Sequence, residues 1–231
     1  MPNTAVHAHR GSADAGSGIA ENTLASFDRA RRLGADGVEL DVRMSADGAL
    51  VVHHDPGVEG LGPICGLDAR ELPAQVPLLA EALEACAGLT VNIELKDLPG
   101  EPGYDPDDHL AAAVADLVVA AGREASVVVS SFWPEALSAF HRSAPAVPTG
   151  LLVAPWFDPE LCVAGALERS CTAVHLPRAL VTAPLVDGAP RAGLAVAAWT
   201  VSDRPGLEAM AALGVDTVIT DDVRLARSVV G

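Results

Sequence analysis

Three acidic residues towards the carboxyl ends of two predicted strands have the spacing of a metal site. Glu39 and Asp41 lie two apart in the predicted strand Gly37–Val42, so their side chains point to the same side. Glu94 belongs to a second predicted strand, Thr90–Lys96. Buried carboxylates that share one site need a cation between them or a shifted pKa. Because carboxylate oxygens are ligands of hard cations, the three acids predict a site for Mg²⁺ or Ca²⁺.

The alternative is that the three acids form interior salt bridges with basic side chains, for which the candidates are Arg10, Arg43 and Lys96. We favour the metal, because three buried carboxylates around one or two cationic side chains remain under-neutralised. Lys96 is the only lysine beside fourteen arginines, and it shares a strand face with Glu94. We therefore expect Arg10 and Lys96 to present positive charge to an anionic group, for which the planar guanidinium suits phosphate.

Two histidines flank the acidic residues at predicted strand ends. His9 lies at the end of the first predicted strand, and His54 follows a short strand after the turn at 45–48. Histidine changes charge near neutral pH, so we interpret this pair as a proton donor and acceptor. We expect His7 deeper in the interior and His53 outside the site. The remaining histidines are interpreted as structural: His109, His141 and His175.

These residues need elements that bring several strand ends together. Apolar runs rich in Val, Ile and Leu alternate with alanine-rich helical stretches. The predicted strands are Ala5–Arg10, Gly37–Val42, Ala49–His53, Thr90–Lys96, Ser126–Ser130, Pro148–Val153, Thr172–Leu176, Leu194–Thr200 and Asp216–Thr220. The predicted helices are Thr23–Leu33, Leu78–Ala87, His109–Ala121, Pro134–Arg142, Pro159–Glu168, Ala179–Val186, Arg204–Leu213 and Val223–Val229. This alternation predicts a parallel sheet covered on both faces, which we interpret as a closed (β/α)₈ TIM barrel rather than an open sheet.

Barrel enzymes build their active sites at the carboxyl ends of the strands, where the candidate residues fall. Trp199, also at a strand end, either closes one wall of the pocket or packs in the core. The segments Pro56–Pro77 and Leu98–Pro106 leave strands at this end, and the first has few apolar residues, so we expect only a loop there. We expect residues 1–231 to form a single domain, because α/β barrels of roughly 200–250 residues are commonly single units.

The composition narrows the classes of partner. A formal net charge of −16 disfavours nucleic acid and anionic membranes, and an anionic substrate then requires a metal or placed cations. No apolar run approaches the roughly 20 residues of a membrane helix, and no leader precedes the first strand, so we expect a cytoplasmic protein without stable membrane insertion. The cysteines lack metal-site spacing. We expect buried core thiols at Cys65, Cys86, Cys162 and Cys171.

Eight short motifs follow one another along nearly the whole chain. They are His9-Arg10-Gly11, Glu21-Asn22-Thr23, Gly34–Val42, Asp47-Gly48, His54-Asp55, Asn92–Lys96, Ala198–Val201 and Gly214–Asp221. In this order they resemble the glycerophosphodiester phosphodiesterase family. The resemblance implies a (β/α)₈ barrel that hydrolyses glycerophosphodiesters to glycerol 3-phosphate and an alcohol, with a divalent cation as cofactor.

The resemblance also implies a role for individual residues. The metal ligands that it implies are Glu39, Asp41 and Glu94. The general acid and base that it implies are His9 and His54. The residues near the phosphate would be Arg10 and Lys96.

The sequence departs from the family pattern at two places, and the second of them concerns the substrate. Ala20 replaces the proline usual before Glu-Asn-Thr, and the preceding stretch from Gly11 is long. The segment Pro56–Pro77 is short where family members often insert a small lobe over the substrate. Two alternatives stay open: a phospholipase D-like lyase of the same superfamily, which needs an apolar membrane-facing loop, and a non-catalytic phosphodiester-binding protein. The alcohol, the identity of the metal and the oligomeric state stay open as well. So does the choice between direct attack by water and a cyclic phosphate intermediate.

Overall fold

Strands and helices alternate along the chain in the computed structural model, which describes residues 4–156 and 158–231. The strands are β1 (Ala5–Ala8), β2 (Gly37–Met44), β3 (Leu50–Val52), β4 (Gly57–Val58), β5 (Gly62–Pro63), β6 (Thr90–Leu95), β7 (Val127–Ser131), β8 (Thr149–Leu152), β9 (Ala173–Pro177), β10 (Ala195–Trp199) and β11 (Thr217–Thr220). The helices are α1 (Leu24–Arg32), α2 (Leu79–Ala85), α3 (His109–Ala120), α4 (Pro134–Ser143), α5 (Pro159–Glu168), α6 (Ala183–Gly188), α7 (Arg204–Leu213) and α8 (Val223–Val230).

Eight of these strands form a closed parallel barrel, in the order β1-β2-β6-β7-β8-β9-β10-β11. The barrel closes because β1 pairs on both sides: Ala5 lies opposite Thr217 of β11, and His7 lies opposite Gly37 of β2. The predicted (β/α)₈ TIM barrel is confirmed. Strand β3 pairs antiparallel with the end of β2, outside the barrel, and the turn that joins the two strands contains Asp47-Gly48, a pair of residues typical of hairpins.

The barrel strands are buried on both faces, and this positions the polar residues. Along β2, Val38 and Leu40 are fully buried and belong to the apolar layer beneath the helices. Glu39 and Asp41 alternate with them and therefore face the barrel interior. Burying an aliphatic side chain of this size stabilises the fold by about 1.5–3 kcal/mol. The apolar layer therefore holds β2 in the register that aims both carboxylates inward.

The loop after β1 is held by the start of α1. Thr23 caps this helix, since its hydroxyl accepts a hydrogen bond of 3.2 Å from the backbone N–H of Ser26. Asn22, immediately before the cap, adopts a left-handed backbone conformation with φ of 54°. Asparagine tolerates this conformation better than most residues, and it turns the Asn22 side chain towards the barrel mouth.

Helix α6 begins four residues later than the sequence predicted. Arg178–Leu180 form a 3₁₀ turn, and α6 starts at Ala183, so the predicted helix Ala179–Val186 is wrong at its start. Pro184 lies in the first turn of α6, where its missing N–H is no loss. A helix begun at 179 would place this proline in its interior.

The segment Pro56–Pro77 is more than the loop that we expected. It contains the small antiparallel pair β4–β5 and two 3₁₀ turns, Ile64–Gly66 and Ala69–Glu71. A small apolar cluster fixes it against β3, built from Val51, Ile64 and Leu72. These few apolar residues suffice because β3 supplies the surface on which they pack.

The four cysteines differ in burial. Cys86 and Cys171 are buried and Cys162 is partly buried, but Cys65 is exposed, so the expectation of a buried thiol is wrong there. In the 3₁₀ turn of Cys65, the neighbouring Ile64 takes the inward position.

Among the helices of residues 4–156 and 158–231, none has the length and apolar character needed to cross a membrane.

Candidate active site

The three predicted metal ligands converge at the mouth of the barrel. Strands β2 and β6 are neighbours in parallel register, with Asp41 opposite Glu94. Carboxylate oxygens of Glu39, Asp41 and Glu94 all lie within 4.8 Å of one another. All three residues are buried, with relative exposures of 4 %, 1 % and 8 %. Strands β2 and β6 run in the same direction, and alternate side chains of each strand face the interior. Acids that are 55 residues apart in the chain are therefore brought together.

Asp41 is the carboxylate with the most partners. Lys96 Nζ lies 3.0 Å from its Oδ1, and Arg10 Nε lies 3.4 Å from its Oδ2. Asn22 donates a hydrogen bond of 2.7 Å to the same Oδ2. Burial alone would raise the pKa of Asp41, but Lys96 and Arg10 outweigh it, so this pKa lies below its usual range. Asp41 is therefore the acid that stays ionised in the protein on its own.

Glu39 and Glu94 are less well neutralised. Burial, followed by the charge of Asp41, raises the pKa of Glu39 to about 8. Burial raises the pKa of Glu94 to about 7, although Lys96 Nζ lies 2.5 Å from its Oε1. Glu39 Oε2 accepts a hydrogen bond of 3.0 Å from the backbone N–H of Arg10, and no basic side chain of the described residues forms an ion pair with it.

This arrangement fits a divalent cation. If all three carboxylates were ionised, the one ammonium and one guanidinium beside them would leave negative charge unbalanced. Asp41 Oδ1 and Glu94 Oε1 are buried and receive no well-oriented hydrogen bond, although both lie close to Lys96. Each carboxylate oxygen has two lone pairs, so a contact with Lys96 leaves one for a metal, and a hard cation would lower the raised pKa values of the two glutamates. Salt bridges with Arg10 and Lys96 do form, as the alternative required, but they leave the cluster under-neutralised.

Two histidines line the same cavity, each with a carboxylate behind it. His9 Nδ1 lies 2.8 Å from Asp221 Oδ1, and His54 Nδ1 lies 2.7 Å from Asp55 Oδ1. Burial would lower the pKa of His9, but the hydrogen bond to Asp221 and the charge of Glu39 raise it above its usual value. Burial and then Lys96 lower the pKa of His54. The two rings therefore differ in their tendency to hold a proton.

The cavity at the barrel mouth has a volume of about 240 Å³. Its lining is His9, Arg10, Glu39, His54, Asn92, Glu94, Lys96, Phe132, Leu152, Trp199, Thr200 and Ile219. Asp41 lies beneath this lining. Trp199 forms one wall, with its ring edge-on to Phe132 at a centroid distance of 5.7 Å, and its Nε1 donates to the carbonyl of His175 at 3.0 Å. Acidic and basic side chains therefore line one part of the cavity, and aromatic rings line another part.

Two other histidines lie deeper in the barrel. His7 and His175 line a second cavity of about 160 Å³ on the amino-terminal side of the first. Burial lowers the pKa of both to about 4, so both are neutral at pH 7. His7 thus lies in the interior, as predicted. Half-buried His53 contacts a separate groove, and it does not line the cavity at the barrel mouth.

Arg43 plays a part that the sequence did not indicate. Its side chain turns away from the carboxylates and donates to the carbonyl of His54, from Nε at 2.9 Å and from Nη2 at 2.7 Å. It also donates to Glu101 at 3.0 Å. Alternation along β2 puts Arg43 on the face of Asp41, but the strand has by then passed the barrel rim. Arg43 therefore holds the backbone of the His54 loop and does not neutralise the acids.

Other supporting residues were also missed. Asn22, which orients Asp41, appeared in the sequence only as part of the Glu-Asn-Thr motif. Asp221 follows β11, and its contact with His9 joins residues 212 positions apart. An acid at the end of the last predicted strand was the only available signal.

Comparison with known proteins agrees with this fold and identifies the family. A family model for the glycerophosphoryl diester phosphodiesterase family matches residues 9–225. A glycerophosphodiester phosphodiesterase of Caldanaerobacter subterraneus subsp. tengcongensis is 32 % identical, over 95 % of this chain and 94 % of its own.

Solved structures with the same fold extend this likeness over the whole chain. The crystal structure of a glycerophosphodiester phosphodiesterase from Parabacteroides distasonis is similar with a TM-score of 0.85 and 25 % identity, covering 100 % of this chain and 98 % of that one. An Oleispira antarctica phosphodiesterase, solved in complex with the product sn-glycerol-3-phosphate, has a TM-score of 0.82 and 26 % identity, covering 98 % of this chain and 96 % of that one.

The fold and the site are those of a TIM-barrel protein with buried acids, basic groups and histidines at the barrel mouth. The family match over residues 9–225 makes the assignment specific: this chain belongs to the glycerophosphoryl diester phosphodiesterase family. It is a glycerophosphodiester phosphodiesterase, as the resemblance of its motifs predicted.

Proposed function

We propose that this enzyme hydrolyses small glycerophosphodiesters to glycerol 3-phosphate and an alcohol, with a divalent cation held by Glu39, Asp41 and Glu94. The single observation that carries the proposal is the convergence of three buried carboxylates, under-neutralised by basic side chains, in one cavity with two histidines. A bound Mg²⁺ or Ca²⁺ would supply positive charge to the phosphoryl oxygens. The relative solved with sn-glycerol-3-phosphate supports the nature of the product.

The two histidines divide the proton transfers. His54, whose pKa is lowered, is neutral and accepts the proton of the attacking water through its Nε2, because its Nδ1 faces Asp55. His9, whose pKa is raised, donates a proton to the oxygen of the leaving alcohol. A bond forms between phosphorus and the attacking oxygen, and the bond between phosphorus and the alcohol oxygen breaks. Solvent then returns both histidines to their starting states.

The cationic side chains and the aromatic wall bind the substrate in this proposal. Arg10 and Lys96 line the cavity beside the carboxylates, where they stabilise charge on the phosphoryl oxygens. Trp199 contacts the carbon atoms of the substrate. We also propose that residues 1–231 act as one domain, which the pairing of the first barrel strand with the last supports.

Hydrolysis of glycerophosphocholine, followed by release of glycerol 3-phosphate, tests the proposal. Activity should disappear with EDTA and return with excess Mg²⁺ or Ca²⁺. His54→Ala should lower kcat by about 10²- to 10⁴-fold, because a general base contributes about that much. His53→Ala is the matched control, since this neighbouring ring lies outside the cavity, and its turnover should stay near that of the wild type.

The same assay separates the other two functions. Choline together with a cyclic phosphate would identify the lyase chemistry, and binding of glycerophosphocholine without turnover would identify a binding protein. Activity that survives exhaustive chelation would refute the role of the three carboxylates as metal ligands.

A further inference from the structure

We propose that Asp221 is a positioning residue for His9, and that Ser202 holds Asp221 in place for this purpose. The inference rests on the proposed function, because it takes His9 as a proton-transfer group. The contact that carries it is the hydrogen bond of 2.8 Å between His9 Nδ1 and Asp221 Oδ1.

Three neighbouring barrel strands each supply one member of this chain of contacts. Ser202 follows β10, Asp221 follows β11, and His9 follows β1. The strands are fixed to one another beside these residues, since His9 N–H donates to the carbonyl of Thr220 at 2.9 Å. The three side chains therefore sit on adjacent ends of a rigid sheet, and their geometry does not depend on a flexible loop.

The carboxylate of Asp221 is itself fixed by a reciprocal pair of hydrogen bonds. The Ser202 hydroxyl donates to Asp221 Oδ2 at 2.8 Å, and the backbone N–H of Asp221 donates to the Ser202 Oγ at 3.0 Å. One carboxylate oxygen is thus occupied by Ser202, and the other is presented to His9. In a simple surface ion pair the two side chains need no such support, because each can rotate until the charged groups meet.

The contact determines which nitrogen of His9 reaches the substrate. The hydrogen bond to His9 lowers the pKa of Asp221, so the carboxylate is ionised and can only accept. Nδ1 of His9 must therefore carry the hydrogen, which leaves Nε2 for proton exchange with a group in the cavity. Without Asp221 the ring can rotate about its side-chain bonds and adopt the other tautomer.

The second histidine shows why Asp221 was not evident in the sequence. His54 has an equivalent partner in Asp55, its direct neighbour in the chain, and the His-Asp pair is therefore visible as a motif. His9 has Arg10 as its neighbour and receives its carboxylate from the other end of the chain. The active site thus contains two histidine–carboxylate pairs, one local and one formed by closure of the barrel.

The expected loss is smaller than in a buried triad. Replacing the buried aspartate of a serine protease triad by asparagine lowers kcat about 10⁴-fold. The Asp221 side chain is 61 % exposed, so water can partly replace it as an acceptor. We therefore expect Asp221→Asn to lower kcat by about 10- to 100-fold, with KM within about twofold of the wild type, because orientation affects the transition state more than binding.

Asp222→Asn is the matched control. This neighbouring acid caps α8, since its Oδ1 accepts a hydrogen bond of 2.9 Å from the backbone N–H of Leu225. Asparagine caps a helix as well as aspartate does, so Asp222→Asn removes one negative charge beside Asp221 and should leave both kcat and Tm close to those of the wild type. Asp221→Asn should lower kcat, again with little change in Tm, because an exposed ion pair contributes little to stability. Ser202→Ala should lower kcat by less than Asp221→Asn, since it loosens the carboxylate without removing it.

A spectroscopic measurement isolates the orientation of the ring. In protein labelled with ¹⁵N-histidine, long-range ¹⁵N–¹H spectra at a pH where His9 is neutral report its tautomer, and signals absent from His9→Gln assign it. We expect the Nδ1–H form in the wild type and a mixture in Asp221→Asn.

The outcomes distinguish the inference from the function on which it rests. A kcat within twofold of the wild type in Asp221→Asn, or an unchanged tautomer, would overturn the positioning role. So would an equal loss of kcat in Asp222→Asn, because that variant removes a neighbouring charge and leaves the contact between Asp221 and His9 in place. Near wild-type turnover of His9→Ala would instead refute the proposed role of His9 in proton transfer.

Discussion

Glu39→Gln should stabilise the metal-free protein at alkaline pH while it abolishes tight metal binding. Glu39 is buried beside Asp41, and its pKa is raised from 4.5 to about 8. A carboxyl with a raised pKa in the folded state destabilises the protein as pH rises. The cost is absent below pH 4.5, grows between pH 4.5 and about 8, and is constant above that. Glutamine has the same shape, and its side-chain oxygen can keep the hydrogen bond from the backbone N–H of Arg10.

The size of the effect follows from this pKa. At about 1.4 kcal/mol for each tenfold change in the proton equilibrium, the rise from 4.5 to about 8 corresponds to about 5 kcal/mol. The amide of glutamine remains buried and keeps a cost of about 1–3 kcal/mol. We therefore expect Glu39→Gln to raise the free energy of unfolding by about 2 kcal/mol at pH 8, and by nearly nothing at pH 5.5.

Urea unfolding in EDTA at pH 5.5 and pH 8, followed by circular dichroism, measures this difference and avoids the isoelectric point near pH 4.6. The exposed acid replacement Glu84→Gln is the control, and its effect should be small at both pH values. Excess Mg²⁺ or Ca²⁺ should stabilise the wild type far more than Glu39→Gln, because a ligand that binds only the folded state adds its binding free energy. Equal stability of Glu39→Gln and the wild type in EDTA at pH 8 would refute the reasoning.

Two further replacements test the residues that support the site. Asn22→Gly removes the hydrogen bond to Asp41 but retains tolerance of the left-handed backbone, so metal affinity measured by calorimetry should fall about 10- to 100-fold; an unchanged dissociation constant would contradict this. Gly150→Ala would place a Cβ in steric clash with the imidazole ring of His175, so it should destabilise the protein by about 1–3 kcal/mol in urea unfolding. The double replacement with His175→Ala should recover part of that loss, and failure to recover it would place the strain elsewhere.

Local patterns predicted most of the elements correctly. Strand alternation predicted that Glu39 and Asp41 face one side, and the apolar runs predicted the barrel that brings Glu94 beside them. These features depend on the period of a strand and on burial of apolar surface, which the sequence alone contains. The predicted start of α6 was wrong because it placed Pro184 in the interior of the helix, where a proline disrupts the backbone hydrogen bonds. In the structure, Pro184 lies in the first turn.

The segment Pro56–Pro77 shows where such patterns fail. Its few apolar residues do not repeat with the period of a helix or a strand, so the sequence indicates only a loop. In the folded chain, Ile64 and Leu72 pack on Val51 of β3, and the segment becomes ordered. The stabilising surface comes from another part of the chain, and no local pattern describes it.

The sequence by itself determined the barrel, the acidic cluster and the presence of two histidines beside it, because each depends on residue type and short-range spacing. Only the tertiary structure decided which partner each residue has. Asp221 contacts His9, Arg43 binds the His54 loop instead of the three acids, and Lys96 pairs with Asp41. Glu39 forms no ion pair with a lysine or arginine among residues 4–156 and 158–231. These contacts join distant parts of the chain at the closure of the barrel, and their geometry depends on the relative height of neighbouring strands. The relative height of the strands depends on packing across the whole sheet, and the spacing of residues along the sequence does not reveal it.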